Sequence, residues 1–135
     1  MSTQEQPSQY LLLLRGNRWE SDLSPDELQE VMGRWGQWYD RLQQSGNLVG
    51  AQPLQPAGKM VSGKNGKLVA DGPFAESKEA IAGYFLLQVD TIDEAIAVAQ
   101  ANPLLEQGMT IEVRPVLAQC PAMQRVSEML AQANA

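Results

Sequence analysis

Five large apolar residues in a row, Tyr10–Leu14, constrain the fold of this chain more than any other feature of its sequence. Successive side chains of a β-strand point to opposite faces of a sheet, so the leucines at odd and even positions lie on opposite sides. Both sides of the strand are therefore apolar, which is typical of a central strand with both faces covered. We predict a central strand over Gln9–Arg15. The run is far shorter than the about 20 residues of a membrane-spanning helix.

A helix follows this strand, and a capping box marks its start. Ser24 is the predicted N-cap, Pro25 takes the first helical position, and Glu27 returns the hydrogen bond to the cap. Apolar residues then recur every three or four positions, as on one face of a helix: Leu28, Val31, Met32, Trp35, Trp38, Tyr39 and Leu42. We predict a helix over Pro25–Ser45 that packs on the sheet through this stripe and ends at Gly46.

Proline, glycine and Asn-Gly signals divide the rest of the chain into further elements. The predicted elements are strands at Leu48–Leu54, Lys59–Ser62, Lys67–Ala70, Ala82–Val89 and Met109–Val116, a helix between Thr91 and Asn102, and a short helix over Pro121–Ala131. The pair Asn65-Gly66 is a strong hairpin signal. The order strand, helix, strand, hairpin, strand, helix, strand predicts an α+β fold. That fold is a ferredoxin-like split β-α-β repeat with an inserted β-hairpin and an antiparallel sheet.

The length of 135 residues, 44% of them hydrophobic, predicts one globular domain rather than two. We expect residues 1–8 to form a flexible N-terminal tail and residues 9–117 to form the domain. Residues 118–135 are expected to be a C-terminal extension that contains the short helix.

The two faces of the predicted sheet lead to a prediction about assembly. In this fold both helices cover one face of the antiparallel sheet, and the other face is left to solvent or to a partner. The first strand is apolar on both faces, so the uncovered face also needs a cover. A second copy of the chain is the simplest cover. We therefore predict a homodimer packed sheet to sheet, as a joint barrel.

Charge and residue usage exclude several classes of function. Ten basic residues stand against sixteen acidic ones, a net charge of −6, so binding to nucleic acid is not expected. The chain has no histidine, which removes the commonest general base and metal ligand. No dinucleotide, P-loop or metal motif is present, and we expect neither a cofactor nor a metal site. One cysteine, Cys120, and no recognisable export or membrane segment predict a cytoplasmic protein.

The last strand contains the strongest candidate site. Its alternation puts Glu112 and Arg114 on the face away from the helices, two residues apart. An arginine there suits a carboxylate or phosphate ligand, and a glutamate in an apolar cavity suits a general base. The alternative is a structural ion pair that fixes the dimer. Arg15, at the end of the first strand, and Tyr84, on the third main strand, are further candidate ligand-binding residues. The alternatives are that Arg15 simply meets solvent and that Tyr84 packs in the core or in the dimer interface.

The segment Asp71–Glu79 is the second candidate site. We expect it to form a loop at the rim of the same cavity that presents Asp71, Glu76, Lys78 and Glu79 to a ligand. Asp71 is then a second candidate catalytic carboxylate beside Glu112. The alternative is ordinary turn chemistry, in which Asp71 accepts backbone N–H bonds and the other charges form surface salt bridges.

Several ordered motifs resemble one known family. The segment Asp71-Gly72-Pro73-Phe74 resembles the signature of the DGPF family, which belongs to the YCII-related group of dimeric α+β barrels. The other matching landmarks are Tyr10–Leu14, Trp35, Trp38, Gly46, Gly83-Tyr84-Phe85, Asp93-Glu94-Ala95 and Ile111–Pro115. The resemblance covers about residues 9–117 and implies the same fold and the same dimer.

The resemblance implies little about chemistry. Proteins of the DGPF family are mostly uncharacterised, and some resemble partners of extracytoplasmic-function sigma factors. The YCII branch is credited with a histidine-aspartate pair and, in one case, with dehydrochlorination; this chain has no histidine for such a pair. Our first hypothesis is a small-molecule-binding protein with lyase- or isomerase-like acid–base chemistry. In it, Arg114 orients a polar or anionic ligand and Glu112 accepts the proton. The alternatives are a non-catalytic sigma-factor partner and a dimer without a ligand.

Overall fold

A computed structural model describes residues 7–16, 18–72 and 80–134 of the chain. Its strands are β1 (Gln9–Arg15), β2 (Leu48–Pro53), β3 (Lys59–Ser62), β4 (Leu68–Asp71), β5 (Ile81–Gln88) and β6 (Thr110–Val116). Its α-helices are α1 (Pro25–Gln44), α2 (Ile92–Gln100) and α3 (Pro121–Ala133). Two short 3-10 helices, at Lys64–Gly66 and Pro103–Gln107, complete the described elements.

The four long strands form one antiparallel sheet in the order β2-β5-β1-β6. With α1 between β1 and β2 and α2 between β5 and β6, this is the ferredoxin-like split β-α-β plan, and β3 and β4 form the inserted hairpin. The predicted α+β fold is confirmed. The first strand is central as predicted, and β2, which ends in Pro53, lies at an edge, where a missing backbone donor is tolerated.

The register of the central strand defines the two faces of the sheet. On one face Leu12 lies opposite Phe85 of β5 and Val113 of β6, and the side chain of Leu12 is completely buried. On the other face Leu13 lies opposite Tyr84 and Glu112, and these side chains are only half-buried. We call the second face, which neither α1 nor α2 covers, the open face.

The helices pack on the first face through a mixed aromatic and aliphatic core. Trp38 of α1 is buried and meets the ring of Phe85 edge to face, with 5.0 Å between ring centroids. Its indole Nε1 donates a 3.0 Å hydrogen bond to the carbonyl of Val98, so it also ties α1 to α2. Ala95 and Ala99 are the buried residues of α2, and their small side chains let that helix approach the sheet closely.

The predicted capping box at the start of α1 is present. The Ser24 hydroxyl accepts a hydrogen bond from the backbone N–H of Glu27 at 3.2 Å, and the Glu27 carboxylate accepts one from the Ser24 N–H at 3.0 Å. The predicted start of this helix is therefore correct. The helix ends at Gln44, one residue earlier than predicted, with Ser45 as its C-cap.

The hairpin and the last helix lie at the periphery. The predicted Asn-Gly turn forms, with Asn65 and Gly66 both at positive φ, but β4 is shifted by one residue, so that Asp71 is its last residue. Every residue of β3 and β4 is exposed, and α3 has no buried residue and is two residues longer than predicted. Their exposed apolar side chains are Met60, Val61, Leu68, Val69, Met123, Val126, Met129 and Leu130.

Within the described ranges, none of the helices is long and apolar enough to span a bilayer. The cytoplasmic location stays a prediction. So do the proposed limits of the tail, the domain and the C-terminal extension.

Gly83 provides a direct test of the close approach of β2 and β5. A Cβ atom at Gly83 would lie 2.9 Å from the backbone oxygen of Gln52, and a backbone atom cannot move aside as a flexible side chain can. We expect Gly83→Ala to lower the free energy of unfolding by about 2 kcal/mol, as overpacking does. Gly50→Ala is the matched control, because a Cβ there meets nothing within 4 Å. Urea unfolding curves measure both, and equal effects would contradict the steric argument.

Candidate functional site

Three charged side chains meet on the open face near one end of the central strand. Glu112 of β6 bridges two arginines through its two carboxylate oxygens. Its Oε1 lies 2.9 Å from Nε and 2.8 Å from Nη2 of Arg15, and its Oε2 lies 3.1 Å from Nη1 of Arg114. We call Arg15, Glu112 and Arg114 the charged triad. The structure thus brings together three of the residues predicted from the sequence.

The strands position the triad without help from any loop. Leu13 lies opposite Glu112 and Leu11 lies opposite Arg114, so the two charged residues of β6 stand beside the half-buried leucines of β1. Arg15 is the next residue of β1 on that same face, and it reaches Glu112 diagonally across the β1–β6 ladder. Alternation in β6 puts its charges on the open face, as predicted.

The three members of the triad differ in their access to solvent. The side chains of Arg15 and Glu112 are 28% and 32% exposed, whereas that of Arg114 is 64% exposed. Charge-assisted hydrogen bonds between half-buried groups are stronger than those of exposed pairs. Arg15 and Glu112 therefore form the fixed part of the triad, and Arg114 is the member that a ligand in solution reaches first.

The ion pairs of Glu112 with two arginines limit its use as a proton acceptor. Its Oε1 accepts a hydrogen bond from Nε of Arg15, and its Oε2 forms an ion pair with Nη1 of Arg114. To take a proton from a substrate, the carboxylate would have to release one of these bonds, and the bond to the exposed Arg114 is the weaker one. The general-base role stays a prediction, and so does its alternative, a structural ion pair.

Tyr84 also lies on the open face, opposite Leu13 in the β1–β5 ladder, and it is half-buried. Leu86 lies two residues further along β5, opposite Leu11. Together with the leucines of β1, these residues form an apolar surface next to the triad. The ligand-binding role of Tyr84 stays a prediction.

Asp71 lies elsewhere, in the two-stranded sheet of the hairpin. It is exposed, ends β4 and forms an ion pair with Lys59 across the hairpin. A groove of about 640 Å³ separates this hairpin from the end of β1, and Arg15, Lys59, Gly72 and Ile81 are among its lining residues. Glu76, Lys78 and Glu79 lie outside the described residues, as does most of the predicted rim loop. The catalytic role of Asp71 stays a prediction.

A second concave site lies on the other side of the sheet, and sequence reasoning missed it. A cavity of about 410 Å³ opens between α1 and the strands β2 and β5, with Trp35 and Tyr39 among its lining residues. We call it the helix-side cavity. The signal for it was present in the sequence, because small residues (Ala51, Ala82 and Gly83) stand on the strands where the helix carries large aromatic ones.

A further ion pair connects α1 to the 3-10 helix Pro103–Gln107 and is not part of a candidate site. Arg34 of α1 donates two 3.0 Å hydrogen bonds to the carboxylate of Glu106. These bonds lower the pKa of Glu106 and raise that of Arg34. Across residues 7–16, 18–72 and 80–134, no three histidine, cysteine, aspartate or glutamate residues cluster as a metal site would require. Cys120 is exposed at the start of α3.

Fold and site together define a class: a ferredoxin-like α+β domain without a histidine, with a charged triad on its open face and an apolar cavity beneath its first helix. The family model for the YCII-related domain matches residues 9–125. The chain therefore belongs to the YCII-related family. The narrower DGPF assignment stays a prediction.

Two individual proteins are each similar to part of this chain. An uncharacterised protein of Rhizobium meliloti (strain 1021) is 42% identical over 53 residues, which is 36% of this chain and 40% of that protein. The chain thus matches less than half the length of this relative. A solved structure of 5-chloro-2-hydroxyhydroquinone dehydrochlorinase (TftG) from Burkholderia phenoliruptrix AC1100, in complex with 2,5-dihydroxybenzoquinone, covers 80% of this chain and 92% of its own. The sequence identity is 14% and the TM-score is 0.42.

A double-mutant cycle can measure the coupling energy between Arg15 and Glu112. We expect Arg15→Met and Glu112→Gln to show a coupling energy of about 1 kcal/mol, at the upper end for partly exposed pairs, because Nε and Nη2 bind the same oxygen. The Arg34–Glu106 pair is the control. It has similar bonds but lies at the surface, so its coupling should be smaller and more sensitive to salt. Equal couplings in urea unfolding would show that burial of the triad does not matter.

Proposed function

We propose that the protein binds a small polar or anionic molecule on the open face, beside the charged triad, in a homodimer whose second copy closes the site. A single observation carries this proposal. The open face combines an apolar surface that neither α1 nor α2 covers with a charged triad, and one of its arginines extends into solvent.

The apolar part of the open face supports the dimer. Leu11, Leu13 and Leu86 stand side by side on neighbouring strands and stay half-buried in the single chain. Apolar patches of this kind on soluble proteins usually mark an interface. A twofold axis through the sheet would pack each patch against its copy, because the interface of a symmetric dimer uses the same surface twice.

The charged part supports an anionic ligand. Arg114 is the most exposed member of the triad, and Glu112 is its ion-pair partner within the described part of the chain, through a single guanidinium nitrogen. A guanidinium group has five N–H donors in a planar fork that matches carboxylate and phosphate oxygens. Closure by a second copy would exclude water around Arg114 and strengthen such bonds.

An enzymatic role fits the same geometry. A ligand carboxylate that takes Nη1 of Arg114 would free Oε2 of Glu112, which would then be available as a proton acceptor in a lyase- or isomerase-like reaction. Asp71 is the second candidate carboxylate, from the hairpin across the groove. The alternative proposal is a non-catalytic partner linked to an extracytoplasmic-function sigma factor. In that protein the Arg15–Glu112 bonds are purely structural.

Ligand binding is tested by thermal unfolding with benzoate, salicylate and inorganic phosphate. An anion present at about ten times its Kd adds about 1.4 kcal/mol to the free energy of unfolding, which raises the Tm of a domain this size by about 5 °C. We expect this rise in the wild type and its loss in Arg114→Ala. Arg41→Ala is the matched control, because it removes the same charge from α1, on the other side of the sheet.

The outcomes separate the hypotheses. Equal shifts in the two arginine variants would contradict a site at Arg114. Cooperative melting with no shift for any anion would favour the non-catalytic partner. For the enzymatic role, Glu112→Gln should retain the shift but abolish turnover of any substrate that the screen reveals.

The dimer is tested by a charge in the apolar patch. Leu13→Glu places a carboxylate next to Glu112 at the centre of the open face, where a sheet-to-sheet partner would bury it. We expect wild type to sediment as a dimer and Leu13→Glu as a monomer in analytical ultracentrifugation. Val61→Glu on the hairpin is the control and should remain dimeric. A wild type that is monomeric at all concentrations would contradict the proposal.

A further inference from the structure

The helix-side cavity has a different chemistry from the open face. It lies beneath α1, next to Phe85 and Leu14, whose side chains belong to the helix-covered face of the sheet. Its volume of about 410 Å³ falls in the lower part of the range of small-molecule pockets, about 300–1,000 Å³. None of the described residues that line it carries a formal charge.

One wall of the cavity is a stacked aromatic pair. Trp35 and Tyr39, one turn apart on α1, lie with their ring centroids 5.2 Å apart and their planes at 17°. Both rings are half-buried, and because each covers one face of the other, the pair offers the cavity an outer ring face and ring edges. Trp19, from the segment after β1, and Tyr84 and Phe85 of β5 add three more aromatic rings to the lining. Aromatic surfaces of this kind favour flat ring systems, through offset stacking and edge contacts.

The opposite wall is made by small residues on two neighbouring strands. Ala51 of β2 and Ala82 and Gly83 of β5 line the cavity where leucine or valine would fill it. Gly83 admits no larger residue, because a Cβ atom there would lie 2.9 Å from the Gln52 backbone oxygen. The backbone geometry therefore maintains part of this space, and a change of side-chain rotamers does not close it.

These observations fix the charge and shape of the occupant. A charged ligand would lose its hydration without gaining an ion pair from the lining. A flat uncharged ring would exchange water contacts for contacts with the aromatic side chains of the lining. We propose that the helix-side cavity is a binding site for an uncharged planar ligand of one or two rings, packed against the Trp35–Tyr39 pair.

This site is independent of the proposed function. The charged triad and the Trp35–Tyr39 pair lie on opposite sides of the sheet, and the two sites select ligands of different charge, one anionic and one neutral. Tyr84 of the open face also lines the cavity, but neither proposal depends on it. Failure of the anion screen at Arg114 therefore leaves this proposal intact. Failure of this proposal likewise leaves the anion site intact.

N-phenyl-1-naphthylamine, an uncharged fluorophore with a fused ring, tests the site. Trp19 and Trp35 line the cavity, and Trp38 lies next to Trp35, at 6.3 Å between ring centroids. Excitation of the tryptophans should therefore sensitise the emission of the bound fluorophore. We expect saturable binding by the wild type. 1-Naphthoate, which has the same fused ring and a negative charge, should compete at least about tenfold more weakly than naphthalene, a difference of about 1.4 kcal/mol.

Two variants of the cavity and one control test where the fluorophore binds. Ala51→Phe fills the cavity from the edge strand, and we expect it to lower the affinity for the fluorophore by about tenfold or more while unfolding stays cooperative. Trp35→Leu removes half of the stacked wall and should also weaken binding. It serves as the second variant if Ala51→Phe does not fold. Val69→Ser on the exposed hairpin is the control for binding to surface apolar groups and should bind as the wild type does.

Three results would overturn the proposal. A folded wild type that binds neither the fluorophore nor, in equilibrium dialysis, the two-ring naphthalene excludes the site. Unchanged affinity in folded Ala51→Phe and Trp35→Leu places the binding elsewhere on the molecule. Competition by 1-naphthoate as strong as that by naphthalene contradicts the inferred charge of the ligand.

Discussion

The burial of β1 between β5 and β6 is the interaction on which the rest of the structure depends. Leu12 at its centre is completely buried, opposite Phe85 and Val113. Tyr10 and Leu14, which lie on the same face of β1, are buried as well. Because the strand is apolar on both sides, it supplies apolar side chains both to the core beneath the helices and to the open face. The core and the open face are thus two consequences of one short run of residues.

The sheet separates two kinds of chemistry. On the helix side, aromatic rings and small strand residues leave an uncharged space beneath α1. On the open side, the β1–β6 register brings Arg15 to Glu112 over 97 residues of chain, and Arg114 joins them from the same strand. A single β-sheet therefore separates a surface that suits a charged ligand from a cavity that suits a neutral ring. Mutations that disturb one side need not disturb the other.

Local signals were sufficient to predict the elements but not the contacts between them. The bounds of β1 and the capped start of α1 agree with the structure, because short-range preferences determine them. Alternation also placed Glu112 on the open face. The bond from Arg15 to Glu112 depends on the register between β1 and β6, two strands that are distant in the sequence. The helix-side cavity arises where α1 and β2, which are neighbours in the sequence, meet the distant strand β5.

The strand order has a consequence for synthesis of the chain. β1 leaves the ribosome first, but both of its partners, β5 and β6, lie in the second half of the sequence. At translation rates of about 5–20 residues per second, β1 is synthesised on the order of ten seconds before its partner strands, and its leucines stay unpaired during that time. Pairing over such separations is also intrinsically slow. The residues that make the folded sheet stable are, during that interval, the part of the nascent protein most prone to aggregate and most in need of a chaperone.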